Sequence, residues 1–183
     1  MSTSSLTPDQ ARFLYRMVLP NLKTEHATTK RVIEAVPLDK GDYRPDPVSK
    51  TALELAWHIV ATEKRLLGGV STGAFDYSPI NRPQTVRNSA DVALWFDQSF
   101  EAAMAQLEKL SGEELARSVD FRGMFHLPAV SYLQFTLNHT VHHRGQLSTY
   151  LRPMGAKVPS IYGESYDALQ DRMAREAKSS SSA

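Results

Sequence analysis

The 183-residue chain has no cysteine. This excludes disulfides, thiolate zinc sites, iron–sulfur clusters and cysteine nucleophiles together. A metal held by this chain would need imidazole, carboxylate or other oxygen ligands, and any thiol chemistry would need a thiol brought in by a small molecule. No apolar run approaches the ~20 residues that span a bilayer. The opening MSTSSLTPDQ lacks the basic start and apolar core of a secretory signal, so a cytoplasmic protein with no membrane attachment is expected. An excess of one charge is missing too: 21 Lys and Arg stand against 20 Asp and Glu. With no concentrated basic face and no recognition-helix signature, no nucleic-acid partner is expected. No internal repeat and no strand-like alternation stand out.

What the chain does have is ordinary globular composition, with 42% hydrophobic and 22% charged residues, and enough length for one domain with a sizeable core. The helix signals come in order. Thr7, Pro8 and Gln10 form a capping box with proline at the first helical position, opening a helix that runs to about Val36. Leu14, Met17, Val18, Leu22, Val32 and Ile33 are its apolar contacts, and Pro20 should kink it rather than break it. A Pro-, Gly- and Asp-rich loop (37–47) precedes a second helix from Ser49, as N-cap, to Leu67, with Gly68 and Gly69 as its stop. The connection 70–88 is long enough to cover one end of a site. A third helix runs from Ser89, as N-cap, to about Leu110, carrying Trp95 and Phe96 as core aromatics. Residues 111–127 read as irregular, with a short extended piece or turn at 121–125. A fourth long helix spans about Pro128 to Arg152, and a further amphipathic segment lies within 162–177. Residues 1–6 are expected to fray, and 179–183 form a disordered serine-rich tail. Four long amphipathic helices make an all-α four-helix bundle, one domain over residues 1–178, the simplest way to bury every stripe.

Three of the six histidines lie in LQFTLNHTVHHRGQLSTYLR. His139 and His143 stand at i and i+4, on the stripe that also carries Tyr132, Leu133, Thr136, Leu147, Tyr150 and Leu151. Two imidazoles one turn apart can share a metal ion. They can equally be core histidines bonded to backbone or buried polar groups. His58, inside the second helix, is the natural third ligand; alone it would read as a boundary histidine. His142 points about 100° away from His143, towards the surface or the stripe's edge. Gln146 lies back over the His139 side and is placed to hydrogen-bond near a metal. His142 and Gln146 are therefore candidates for contacts just behind the ligands or to a substrate. Arg144 is expected to anchor helix packing through a carboxylate or carbonyls. His26 falls in a polar stretch and reads as solvated or at a boundary. Glu63 lies about 140° round the helix from His58 and should face elsewhere.

YRPDPVSKTALELAWHIVATEKRLL, NHTVHHRGQLSTYLRPMGAKVP and IYGESYD together resemble the DinB/YfiT-like family of bacterial four-helix bundles, over roughly residues 8–170. Carried across by position, the resemblance places that family's metal triad on His58, His139 and His143. It implies a mononuclear three-histidine site with open water positions, holding Zn²⁺, Ni²⁺ or another divalent ion. It also implies kinship with transferases and isomerases that use bacillithiol, mycothiol or related thiols, and a homodimer, since dimers are common in the family.

The expected function is thus a metal-dependent enzyme of the small-thiol transferase kind, acting on a small molecule, with a low-molecular-weight thiol as cosubstrate. Two alternatives remain open. One is metal-activated hydrolysis, for which no general base is singled out. The other is a non-catalytic metal-binding, stress-response or interaction bundle, which a fourth protein ligand such as His26 or His126 would favour.

Overall fold

The computed structural model describes residues 6–180. The end of the expected serine-rich tail and most of the expected N-terminal fray lie outside that range. Four long helices dominate: α1 (Pro8–Glu34), α2 (Ala52–Thr72), α3 (Ser89–Leu107) and, after a short α4 (Gly112–Ala116), α5 (Ser131–Leu151). α2 packs on α3 and α5, and α1 packs on the same two, so the four close a ring around the core. An outer helix, α6 (Tyr166–Ser180), has no buried residue and is tied down by ion pairs from Lys157 to Asp171 and Arg152 to Asp167. It continues through Ser179 and Ser180, two residues into the stretch read as disordered.

The helix starts are set by reciprocal side-chain caps. Thr7 with Gln10 opens α1 as the sequence implies, and α1 continues unbroken through Pro20. α2 starts two residues later than expected, because Thr51 and Glu54 form the capping box. Ser49 instead belongs to a turn on Asp46, with its hydroxyl donating to Asp46 Oδ2 at 2.6 Å. Likewise Asn88, not Ser89, caps α3, in partnership with Asp91. Thr51→Ala should therefore cost about 1 kcal/mol, and Ser49→Ala distinctly less, in paired urea titrations. A larger loss for Ser49→Ala would put the cap in the wrong place.

α2 also ends later than expected. It runs through Gly68 and Gly69; a side chain at Gly69 would sit 2.1 Å from the Phe75 ring, so that glycine serves close packing, not termination. Termination falls to Gly73, whose φ of 82° is the left-handed cap geometry that glycine adopts without strain.

The segment 111–128 is more ordered than its sequence suggests. Ser111 and Glu114 cap α4, and β1 (Ser118–Phe121) pairs antiparallel with β2 (Phe125–Pro128). Four-residue strands are too short to display an alternation; the turn that joins them, residues 122–124, lies within the short extended piece or turn expected at 121–125. The Tyr132 hydroxyl donates to Val119 O at 2.8 Å, fastening this hairpin to the start of α5.

The core falls into two apolar clusters along the bundle. One is built around Ile33, Ile59, Phe96 and Leu151, the other around Leu22, Leu67, Leu107 and Leu133. On α1 the inward face differs from the expected one: Ala11 and Tyr15 are buried, whereas Leu14 and Met17 are exposed. Among the described residues, no helix is long and apolar enough to cross a membrane.

Candidate metal centre

α5 is buried along Leu133, Leu137, Thr140, Arg144 and Leu147. His139 and His143 therefore sit at the margin of the buried stripe, half-exposed, and not along its centre. α2 delivers His58 to the same margin. The three Nε2 atoms converge: His58 Nε2 lies 3.1 Å from His143 Nε2 and 3.2 Å from His139 Nε2. Ligands about 2.0–2.1 Å from a tetrahedral zinc ion stand roughly 3.3 Å from one another, so the spacing matches the edges of a coordination polyhedron. These three form a group that could hold a divalent metal ion, with ligand atoms within 4.8 Å of one another.

The protonation pattern fits a cation as well. The Gln146 side-chain oxygen lies 2.7 Å from His143 Nδ1. An amide oxygen can only accept, so the proton belongs on Nδ1 and the Nε2 lone pair faces the cluster. One hydrogen on His58 Nε2 could satisfy only one of its two neighbours. Burial, followed by the charges of His143, Lys50 and Arg65, lowers the His58 pKa to about 4. Burial, with His143, His58 and His142 adding to it, lowers His139 to about 3. His143 is also lowered, chiefly by burial, although its bond to Gln146 opposes the shift. All three rings are thus neutral at pH 7, the state a metal requires. His139 Nδ1 is buried with no hydrogen-bond partner, so no bond behind this ring fixes its tautomer.

His142 is exposed, its ring edge-on to His143 at 4.7 Å between centroids. Its nitrogens are not part of the three-histidine group. His126 is on the hairpin, exposed and 3.3 Å from Asp120. Neither His126 nor His26 closes the site.

His26 departs most from its sequence reading. It is only 6% exposed and stacks on Phe100 at 3.8 Å between centroids. Its Nδ1 meets Glu63 Oε1 at 3.0 Å and its Nε2 meets Asp97 Oδ1 at 3.1 Å. Glu63, turned away from His58 as expected, also accepts from the Thr140 hydroxyl at 3.4 Å. Lys30 caps the far end by donating to Asp97. Burial pushes the Glu63 carboxyl up, with His26 and Thr140 opposing. Burial works against ionising Asp97 too, but Lys30 and His26 outweigh it and hold that carboxyl below its usual range. Arg144 behaves as expected: buried, it donates to Glu25 and, at 2.6 Å, to the Tyr162 hydroxyl.

A family model described as the DinB family matches residues 1–177. The chain belongs to the DinB family. Among its relatives, YjoA of Bacillus subtilis (strain 168) is 26% identical over 140 residues, covering 75% of this chain and 89% of YjoA. YrdA of the same strain is 29% identical over 113 residues, covering 60% of this chain and 64% of YrdA. Two crystal structures of DinB-like proteins share the fold. The Bacillus subtilis YjoA structure has a TM-score of 0.66 at 23% identity, covering 79% of this chain and 97% of that one. A Bacillus cereus ATCC 10987 structure has a TM-score of 0.67 at 23% identity, covering 79% and 95%. For this DinB family chain, the loop after α2 is part of the site's surroundings. Trp57 Nε1 donates to Ile80 O at 2.9 Å, and Arg65 donates to Asp76 O and Ser78 O. These bonds hold residues 76–80 against α2, and Ile80 and Arg82 line a cleft beside His58.

Proposed function

We propose that this protein is a metal-dependent enzyme of the small-thiol transferase kind, with His58, His139 and His143 as the ligands of a divalent ion, Zn²⁺ or Ni²⁺. The observation that carries the reading is the convergence of three neutral imidazole nitrogens at ligand spacing on an open margin of the bundle. When bound there, a divalent ion favours the thiolate form of an incoming thiol and so provides a nucleophile. The protein's own part is to hold the three lone pairs facing inward. Gln146 fixes the His143 tautomer, and Trp57 and Ile80 line the cleft beside His58. The chain has no thiol of its own, which suits a thiol carried in by a small-molecule cosubstrate.

Metal-activated hydrolysis ranks second, because it needs a base beside the bound water. Glu63 is committed to His26 and Thr140, and Glu54 to the Thr51 cap. A closed, non-catalytic metal site ranks third, since neither His26 nor His126 supplies a fourth ligand. A cytoplasmic homodimer with no nucleic-acid or membrane partner completes the proposal. The test is turnover of metal-loaded protein with a panel of small thiols and an electrophile such as a haloalkane or epoxide. Thiol-dependent turnover should be present in the wild type and abolished in His58→Ala; equal rates in the two would sink the mechanism.

A further inference from the structure

Two clefts open on the histidine cluster. One, of about 440 Å³, is lined by His143, Gln146 and Tyr150 from α5 together with Pro45 and Leu55. The second, of about 530 Å³, runs from His58 past Trp57 and Ile80 to Arg65 and Arg82. Lys50 lines both clefts and is exposed.

The charges around these clefts are unbalanced. Lys50 is among the cations close enough to disfavour protonation of both His58 and His143; Glu54 lies near enough to feel its charge, yet among the described residues no carboxylate forms a close ion pair with it. Arg65 gives its hydrogen bonds to the carbonyls of Asp76 and Ser78, and Arg82 donates to Val86 O. The neighbouring Asp76 carboxylate is turned to the Ser78 N–H at 2.8 Å. The one acid lining either cleft is Glu54, which accepts from Thr51 N at 2.8 Å. Three cations thus border a partly apolar cleft beside His58, against one lining carboxylate, Glu54, which feels Lys50, and Asp76 behind Arg65, so the lining keeps an excess of positive charge. Desolvated clefts of one sign concentrate ligands of the other.

We propose that Lys50, backed by Arg65 and Arg82, forms an anion-binding subsite next to the metal centre, and that the small molecule entering this cleft carries a fixed anionic group, a carboxylate or its like, beside an apolar portion. The inference rests on the metal-centre reading above and adds the chemical class of what binds there. Trp57 and Ile80 provide the wall for the apolar portion. Lys50 is the adjustable member: its stem is exposed and its ammonium is free to meet the ligand. The two arginines are held in place by the 76–86 loop.

The probes are 2-mercaptoethanesulfonate and neutral 2-mercaptoethanol, titrated into cobalt-loaded protein and followed by the visible cobalt spectrum and by calorimetry. Sulfonate is a poor metal ligand, so preference for the anionic thiol reports the subsite and not coordination. The anionic thiol should bind about ten-fold tighter, and added KCl should shrink the preference. Lys50→Gln should abolish it and Lys50→Glu invert it, with about one cobalt per chain retained in both. Equal affinity for the two thiols, or a preference that both variants keep, overturns the inference while the thiol reading stands. If neither thiol alters the spectrum, the thiol reading fails by itself, and ethanesulfonate then tests the subsite. Its binding heat should be present in the wild type and absent in Lys50→Gln, and no heat in the wild type overturns the inference.

Discussion

Singly replacing His58, His139 or His143 with alanine should abolish stoichiometric metal retention. Zn²⁺- or Ni²⁺-reconstituted protein, dialysed and analysed by elemental mass spectrometry, should hold about one ion per chain. Each alanine variant should hold far less. Losing a hydrogen-bond partner behind a ligand typically costs 10- to 100-fold in affinity, so Gln146→Leu should fall roughly in that range and each ligand variant beyond it. Full retention in any two of the three histidine variants would sink the assignment. The pH dependence follows from the same rings. His58 takes up its proton at about 4 and His139 at about 3, and His143 is lowered too, so all three ligands resist protons below the ordinary imidazole value of 6.5. Metal retention should therefore persist as the pH falls from 7 to 6.5 and be lost first through His143, the ring whose bond to Gln146 opposes its shift. Metal-free protein behaves differently. Between pH 6.5 and about 4 the unfolded histidines take up protons that the folded ones refuse. The unfolded state then binds more protons, so stability falls as pH falls through that window and levels off below it.

The second large effect lies in the interior. Asp97, His26, Glu63 and Thr140 come from α3, α1, α2 and α5 and form one hydrogen-bonded layer. Along each long helix this layer falls between residues of the two apolar clusters. His26→Ala removes a ring stacked on Phe100 and leaves Glu63, 2% exposed, without its main partner. Truncating a buried aromatic ring costs about 3–5 kcal/mol and an unsatisfied buried polar group about 1–3 kcal/mol, so the urea midpoint should drop sharply with little change in slope. Glu63→Gln keeps the shape and much of the hydrogen bonding, and should cost markedly less. It should also flatten one part of the pH profile. The folded Glu63 carboxyl is raised by burial, so the native state holds its proton above pH 4.5 and loses that stabilisation as pH climbs through the raised pKa. A His26→Ala loss below about 1 kcal/mol would mean that the layer is spectator chemistry.

Much of the site was readable before any fold was known, because it depends on local geometry. The i, i+4 spacing of His139 and His143 fixes their common direction on any helix, and Gln146 follows from the same angle. The helix boundaries were less legible, although the signal was present. Thr51–Glu54, Asn88–Asp91 and Ser111–Glu114 all carry the reciprocal cap pattern of Thr7–Gln10, yet a serine close by, or a lack of apolar periodicity, drew the reading elsewhere. The cap needs both partners, so Ser49, which lacks an acceptor three residues on, lost to Thr51.

What the sequence by itself determined is the set of long amphipathic helices, the absence of any thiol, and the common direction of His139 and His143 one turn apart. Those properties depend on composition and on neighbours within a turn or two. The tertiary structure decided that His139 and His143 lie at the open margin of the bundle, that Lys50 and two arginines border the clefts beside them, and that His26 is sealed between two carboxylates. Each of these depends on contacts between residues tens of positions apart. A polar residue reads as solvent-facing in its own helix until another helix brings the partner that makes its burial affordable.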